Sequence, residues 1–386
     1  MVGGEGGILN FANPPLGIYV HIPFCRAICN YCNFNRGLFD GALKDRYVDA
    51  LQRHIGSIAD GTRADTIYFG GGTPSMLTPG EIGTLIQAAR NAFDVAADAE
   101  VTLEMNPEDA EPTRLAGYVA AGVNRISMGV QSFHDNELKR LGRVHDAARA
   151  RDAFRLLRGA GFDNVSLDLM MWLPQQTTAA WRTSVDALIE MAPDHASLYI
   201  LEIYPNAPLR DEMARSGWSQ APDEDAAEMY LDAFDRLERA GIAQYEISNA
   251  ARPGRRSRHN LKYWTDGEWL AFGCGAHGTR GGSRWRLVSD PQDYVTRITA
   301  HGDPIAERRV RSAADRFTEA MITGLRLTDG VDLASIRRRF GVDVLGRYGG
   351  PLAPFVDAGL AVVDGNALRL TRRGMLVANE ILTLFV

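Results

Sequence analysis

The chain has 386 residues, 45% hydrophobic and 23% charged, with 42 lysines and arginines against 48 aspartates and glutamates, a net charge of −6. That length suits one large domain plus a small one. The acidic balance argues against a general nucleic-acid binder, which is usually basic. No apolar run reaches the roughly 18–20 residues of a membrane-spanning helix, and the opening residues lack the basic and apolar regions of a signal peptide. The expectation is a cytoplasmic protein with no nucleic-acid partner and no transmembrane segment, for which peripheral membrane contact stays open. Residues 1–16, glycine-rich at their start, are expected to form a flexible tail.

Residues 17–22 predict a buried strand. The loop after it holds three of the four cysteines, Cys25, Cys29 and Cys32, spaced C-x3-C-x2-C. Three thiolates on one short loop can each hold one iron of a cubic 4Fe–4S cluster. The fourth iron then lacks a protein ligand and can bind a small molecule; electron-transfer ferredoxins instead close the cluster with four cysteines. Structural zinc wants four ligands, and no second pair follows, so a zinc site would need His21. An odd count and a reducing setting argue against a disulfide. Three unrelated buried thiols would leave the spacing without a reason.

Helical periodicity follows over 43–59, then a strand at 65–69 ending in Gly70-Gly71-Gly72-Thr73-Pro74. A helix at 79–93 leads to a strand at 100–104 that breaks at Met105-Asn106-Pro107-Glu108. A helix at 111–121, a strand at 125–128, helices at 135–141 and 147–160 and a strand at 164–169 come next. A helix at 178–191 and a strand at 195–202 complete six units of strand then helix. Such alternation predicts a parallel sheet. The cysteines, the glycine run, Glu104, Gln131 and Asp168 all fall at or just past carboxyl strand ends. Barrels of (β/α) units build their sites there, and the alternative, a doubly wound sheet, does so too.

C-x3-C-x2-C with an aromatic residue before the third cysteine resembles the radical S-adenosylmethionine (SAM) superfamily. The longer string from Tyr19 through Cys32 is similar to its coproporphyrinogen-oxidase-like branch. The resemblance implies that the open iron takes the amino and carboxylate groups of SAM, with the reduced cluster cleaving SAM to a 5′-deoxyadenosyl radical. It implies a fold too: α/β, an incomplete (β/α)6 barrel with a C-terminal winged-helix-like domain. It further implies that Gly71, Gly72 and Thr73 contact the amino end of SAM. Tyr19, Glu104, Gln131, Arg143 and Asp168 match polar positions of the related dehydrogenase around SAM. Carboxylates and amides can hold ribose hydroxyls, and arginine can pair with a carboxylate. Relatives commonly carry glycine where this chain has Trp172 and Gln175, so the backbone there is expected to be less permissive.

Past 223 the pattern changes: a helix over 223–240, a short apolar stretch at 243–248, then His259-Asn-Leu-Lys-Tyr263-Trp264 and Gly273-Cys-Gly-Ala-His277-Gly. A histidine can ligate haem iron, and tyrosine and tryptophan can cover a porphyrin face. The competing reading packs the histidine in a loop under an aromatic pair. The string resembles the HNxxYW motif of the HemW-type haem chaperones of the same branch. By that resemblance His259, Tyr263 and Trp264 are haem candidates, with His277 a second candidate histidine. Cys274 is expected to be a small buried residue. Phe34 stands where the oxygen-independent coproporphyrinogen dehydrogenase carries a further cysteine, which favours the chaperone type. From about Ala306 the chain reads as mostly helical, with helices near 313–325 and 332–340 and a strand pair near 360–370.

The expected organisation is a partial barrel over 17–245, a connecting segment over 246–305 and a C-terminal domain over 306–386. The expected function is haem binding and transfer to acceptor proteins, with a 4Fe–4S cluster, SAM, haem as cargo and a reductant such as flavodoxin or ferredoxin. The alternative is a radical SAM enzyme acting on a porphyrin or another substrate.

Overall fold

The computed structural model describes residues 15–205 and 207–386. The tail expected over 1–16 lies, up to residue 14, outside the described residues. Strands β1 (Leu16–Ile22), β2 (Arg63–Gly71), β3 (Asp94–Met105), β4 (Arg125–Gln131), β5 (Val165–Met171) and β6 (His195–Ile200) are parallel neighbours in that order. The helices between them are α1 (Gly41–Ser57), α2 (Pro79–Ala92), α3 (Pro112–Ala121), α4 (Asp135–Arg140), α5 (Ala147–Gly159) and α6 (Thr178–Met191). Their ends follow local chemistry. Asp40 caps α1 by accepting from Leu43 N–H, Thr78 and Glu81 form a capping box on α2, and Gly122 at φ 99° ends α3.

After α6 the chain adds α7 (Pro208–Ser216) and α8 (Asp223–Arg239), then the short strands β7 (Ala243–Gln244) and β8 (Asn249–Ala251). Helix α9 (Arg258–Trp264) precedes β9 (Trp269–Phe272), which pairs in parallel on the free side of β1. Strands β10 (His277–Arg280), β11 (Ser283–Leu287) and β12 (Ile305–Val310) continue outward antiparallel, with α10 (Pro291–Thr299) between the last two. The result is a 12-stranded mixed sheet in the order β12-β11-β10-β9-β1-β2-β3-β4-β5-β6-β8-β7. It stays open, as the incomplete barrel requires, and seven of its strands run parallel.

Two expectations need correcting. The segment from Ile305 to Val310 is a strand, not helix. Its run of charged side chains hid the pattern, because an edge strand exposed on both faces has no apolar period to read. The parallel sheet also has a seventh strand, β9, contributed from beyond the six units. Beyond β12, helices α11 (Ala313–Gly324), α12 (Leu333–Phe340) and α13 (Val344–Asp357) pack with a hairpin of β14 (Ala361–Asp364) and β15 (Ala367–Leu370), to which β13 (Val331–Asp332) adds a third strand. These are the helices and strand pair read in the sequence.

The parallel strands alternate. One face carries Ile18, Val20, Ile67, Phe69, Val101, Leu103, Ile126, Met128, Leu167 and Leu198, all buried. The other face is largely polar, broken by glycines and by Met170. The register places Tyr19 beside Tyr68, Thr102 beside Arg125, Glu104 beside Ser127, Ser166 beside His195 and Asp168 beside Ser197. This polar face forms the lining of the partial barrel.

Candidate functional site

At the carboxyl ends of the strands the polar face opens into a cleft of about 400 Å³. Cys25, Cys29 and Cys32 line it, together with Gly71, Gly72, Thr73, Glu104, Gln131, Arg143 and Asp168. Ten of the residues singled out in the sequence therefore share one cavity, although they come from four strand ends and three loops. Tyr19 does not line it. Its hydroxyl bonds His21 Nδ1 at 3.1 Å one layer deeper, and its ring stacks on Tyr68 with centroids 6.1 Å apart.

The cysteine loop is pinned at its base. Phe24–Cys25 pairs with Gly37–Leu38, and the amide N–H groups of Gly72 and Thr73 donate to Ile22 and Phe24 carbonyls at 2.8 and 2.9 Å. The glycine run must come this close: a Cβ on Gly72 would stand 2.9 Å from Cys25 Sγ, and Gly71 sits at φ 120° with the His21 ring 2.5 Å from where its Cβ would be. All four cysteines are free thiols. Thr73 Oγ1 lies 3.5 Å from Cys25 Sγ and Arg143 Nη1 3.5 Å from Cys29 Sγ. Burial pushes the Cys25 and Cys32 thiols up, so a bound metal must itself draw off their protons. The Arg36 side chain donates to the Cys32 carbonyl and holds the end of the loop.

Deeper in the cleft Glu104 accepts from Tyr68 hydroxyl at 2.8 Å and from Gly71 N–H at 3.1 Å. Burial raises its carboxyl to about 7, and these two bonds hold it only partly down. Asp168, also pushed up by burial, lies 3.3 Å from the hydroxyls of Ser127 and Ser166. Asn106 spans the cleft, donating to Thr73 Oγ1 at 3.3 Å and accepting from Arg143 at 2.6 Å. Gln131 reaches the cleft through an irregularity in the β4–β5 register, at φ 69°. The mouth is apolar, with Ile28, Phe34, Tyr199 and Ile200 all exposed, Phe34 to 65%.

Asn106 and Tyr199 also line the cleft, and Tyr68 supports it from beneath through Glu104, none of which the sequence singled out. A signal for them exists: a polar residue at every second position of a parallel strand, where both faces should be apolar, marks a lined cavity. Trp172 and Gln175 give another result. Both sit at positive φ, 62° and 60°, the conformation glycine would take freely. Segment 219–221 holds them: Trp172 Nε1 donates to Ala221 carbonyl at 2.7 Å, and Gln175 N–H to Ser219 carbonyl at 2.9 Å. The turn is kept without its glycines.

The haem candidates lie elsewhere. Helix α9 closes the polar face near the amino ends of the strands, and His259 is wholly buried there. Its Nδ1 bonds Thr66 Oγ1 at 2.8 Å and its Nε2 bonds Tyr263 hydroxyl at 2.9 Å. Its ring stacks on Tyr68, centroids 5.1 Å apart, and its backbone N–H donates to Glu100. Burial, then Lys262 and Arg125, lower its pKa to about 3. Both ring nitrogens are engaged within the protein, an arrangement that fits the packed-histidine reading set against the haem candidate in the sequence. Tyr263 belongs to the same bond, and Trp264 is half-buried under the Arg326 guanidinium, 4.5 Å away. His277 is exposed at the start of β10, paired with Arg286, outside the cleft. Cys274 is buried, as expected, against Tyr47 and Asn35.

Comparison with known proteins adds an independent line. The radical SAM superfamily profile matches residues 19–188, and that of the HemN C-terminal domain matches 312–377. The chain is 35% identical to the heme chaperone HemW of Bacillus subtilis, covering 95% of this chain and 98% of that one. It is 37% identical to the heme chaperone HemW of Mycobacterium tuberculosis, covering 97% and 96%. Among solved structures it resembles coproporphyrinogen III oxidase (HemN) of Escherichia coli, a radical SAM enzyme. The TM-score is 0.84 at 24% identity, over 96% of this chain and 90% of that chain.

Proposed function

The chain belongs to the radical SAM superfamily, in the coproporphyrinogen-oxidase-like branch that includes the HemW heme chaperones, and from that premise we propose that it carries a 4Fe–4S cluster and SAM, binds haem and passes it to acceptor proteins. The observation that carries the cofactor half is the convergence of Cys25, Cys29 and Cys32 with Gly71–Thr73, Glu104, Gln131, Arg143 and Asp168 on one cleft. The donor set fits the group. Among the described residues no three histidine, cysteine or acidic side chains close around a single ion, whereas a cluster spreads its three thiolates over three irons. Arg143 beside Cys29 offers a positive charge to an anionic cluster.

Bound there, the cluster supplies an open iron and one electron, delivered by a reductant such as flavodoxin or ferredoxin. The residues position SAM. The backbone at Gly71 to Thr73 would hold its amino end, Arg143 its carboxylate, and Glu104, Gln131 and Asp168 its ribose. The haem half rests on kinship with the HemW proteins and on Phe34, which replaces the further cysteine of the oxidase. The setting is the cytoplasm; no described helix is long and apolar enough to cross a membrane.

The alternative, a radical enzyme acting on a porphyrin, draws on the apolar mouth of the cleft. One experiment separates the two. The anaerobically reconstituted protein is titrated with haem by absorbance, then incubated with coproporphyrinogen III, SAM and reductant. Stoichiometric haem binding with no decarboxylated product supports the chaperone. Product without tight haem binding replaces it with the enzyme.

A further inference from the structure

A second cavity, of about 800 Å³, lies between the last turn of α1, strand β9 and the antiparallel strands β11 and β12, and shares no residue with the cleft. It is within the size range of sites that enclose small organic ligands. Its apolar lining includes Leu270 and Ile298, both buried, and Trp285, whose ring packs on Gly278 so closely that a Cβ there would stand 2.4 Å from it. Arg53 and Arg308, both exposed, line it without a carboxylate partner among the described residues, while Arg280 is tied to Asp60 at 2.6 Å. Asp303 is the one acidic residue in the lining, and its carboxylate accepts Ile305 N–H at 2.9 Å.

One buried polar group faces this cavity. His54 is 5% exposed, packed edge-on against Phe272, with Nδ1 2.8 Å from the Tyr294 hydroxyl. Its Nε2 has no protein partner among the described residues, and the ring lines the cavity. Burial holds its pKa down to about 4, so the imidazole is neutral at physiological pH. A neutral imidazole whose far nitrogen is held by a second group is the form that ligates metals.

We propose, building on the haem-carrier reading, that this groove seats the haem cargo: the macrocycle lies on Trp285 and its apolar neighbours, His54 Nε2 ligates the iron, and Arg53 and Arg308 hold the two propionates. Ligation through Nε2 places the ring hydrogen on Nδ1, donated to Tyr294. That hydroxyl has two lone pairs and can take this bond beside the Gly273 N–H it already accepts at 3.2 Å. Next to Gly273, the Cys274 carbonyl accepts from Asn35 of the cysteine loop at 3.0 Å. Groove and cluster loop thus meet in one hydrogen-bonded strip.

The test is a haem titration of the full-length, cluster-loaded protein followed at the Soret band. The surface pair Arg53→Glu with Arg308→Glu is expected to weaken haem binding about tenfold while iron content and SAM binding stay at the wild-type level. His54→Ala is expected to shift the Soret band of bound haem, and added imidazole to restore it. If wild type binds haem and both variants match it in affinity and spectrum, the site is overturned and the haem-carrier reading survives. If wild type binds no haem, the reading falls and this site with it.

Discussion

The two ends of one polar sheet face make opposite use of the same residue types. At the carboxyl end, Glu104, Asp168, Gln131 and Arg143 line an open cavity beside three free thiols. At the amino end, His259, Thr66, Glu100 and Tyr263 satisfy one another under helix α9. Polar groups that are bonded on one side but open to a cavity on the other can still take a ligand, whereas those sealed under a helix cannot. Tyr68 joins the two ends. Its ring stacks on His259 and its hydroxyl donates to Glu104. The HNxxYW string thus supports the cleft from below.

The largest expected effect tests the open end. Cys25→Ala removes one of three iron ligands, and iron and sulfide content should fall to background; retained iron at the wild-type level would break the cluster assignment. The same assay on His259→Ala should show unchanged iron. That variant instead leaves Thr66 and Tyr263 unpaired in the core and should cost about 3 kcal/mol of stability, seen as a lowered Tm. Haem titration of His259→Ala at a temperature where it is folded should match wild type. Loss of haem binding there would return the motif to the role first expected of it.

The closed end also has an acid signature. The folded state holds the His259 pKa at about 3, below its ordinary value near 6.5. The associated stability is fully present above pH 6.5 and is lost as pH falls toward 3. His195 and His54, likewise held neutral by burial, add to the slope. His259→Gln should flatten the fall of stability with acid; an unchanged slope would mean that the ring is not kept neutral in the fold.

Much of this was legible in residue order. Cys25, Cys29, Cys32 and Gly71 to Thr73 carry their spacing with them, and the six strand–helix units follow from period and caps. Glu104 and Asp168 were legible only as strand-end residues, since nothing local tells a cleft carboxylate from a helix cap. The setting of His259 was not legible because burial is a tertiary fact: the histidine that could face a ligand and the one bonded to Thr66 look alike in sequence. In the edge β10–β12, strand β12 was missed because its exposed charged residues have no apolar alternation, and β10 and β11 because four or five residues make too short a pattern to read. His54 drew no attention for a related reason. It sits on a helix face that looks like core, and only the fold shows that its ring lines a cavity.

A smaller effect sharpens the contrast between the ends. Glu104→Gln keeps the Tyr68 bond but can turn an amide N–H toward Gly71 N–H, donor against donor. It should weaken SAM binding about tenfold and leave iron content unchanged. The subtlest expectation is its pH dependence. With the carboxyl at about 7 in the ligand-free fold, ribose hydroxyls, which donate, favour the ionised form. Binding below pH 7 must therefore first remove a proton, so SAM affinity should rise from pH 6 toward 7.5 and then level. Ionisations of SAM itself would persist in Glu104→Gln, so the difference between the two titrations isolates this residue. A difference that does not change with pH would mean that Glu104 binds SAM without changing charge, and that the open end is as internally satisfied as the closed one.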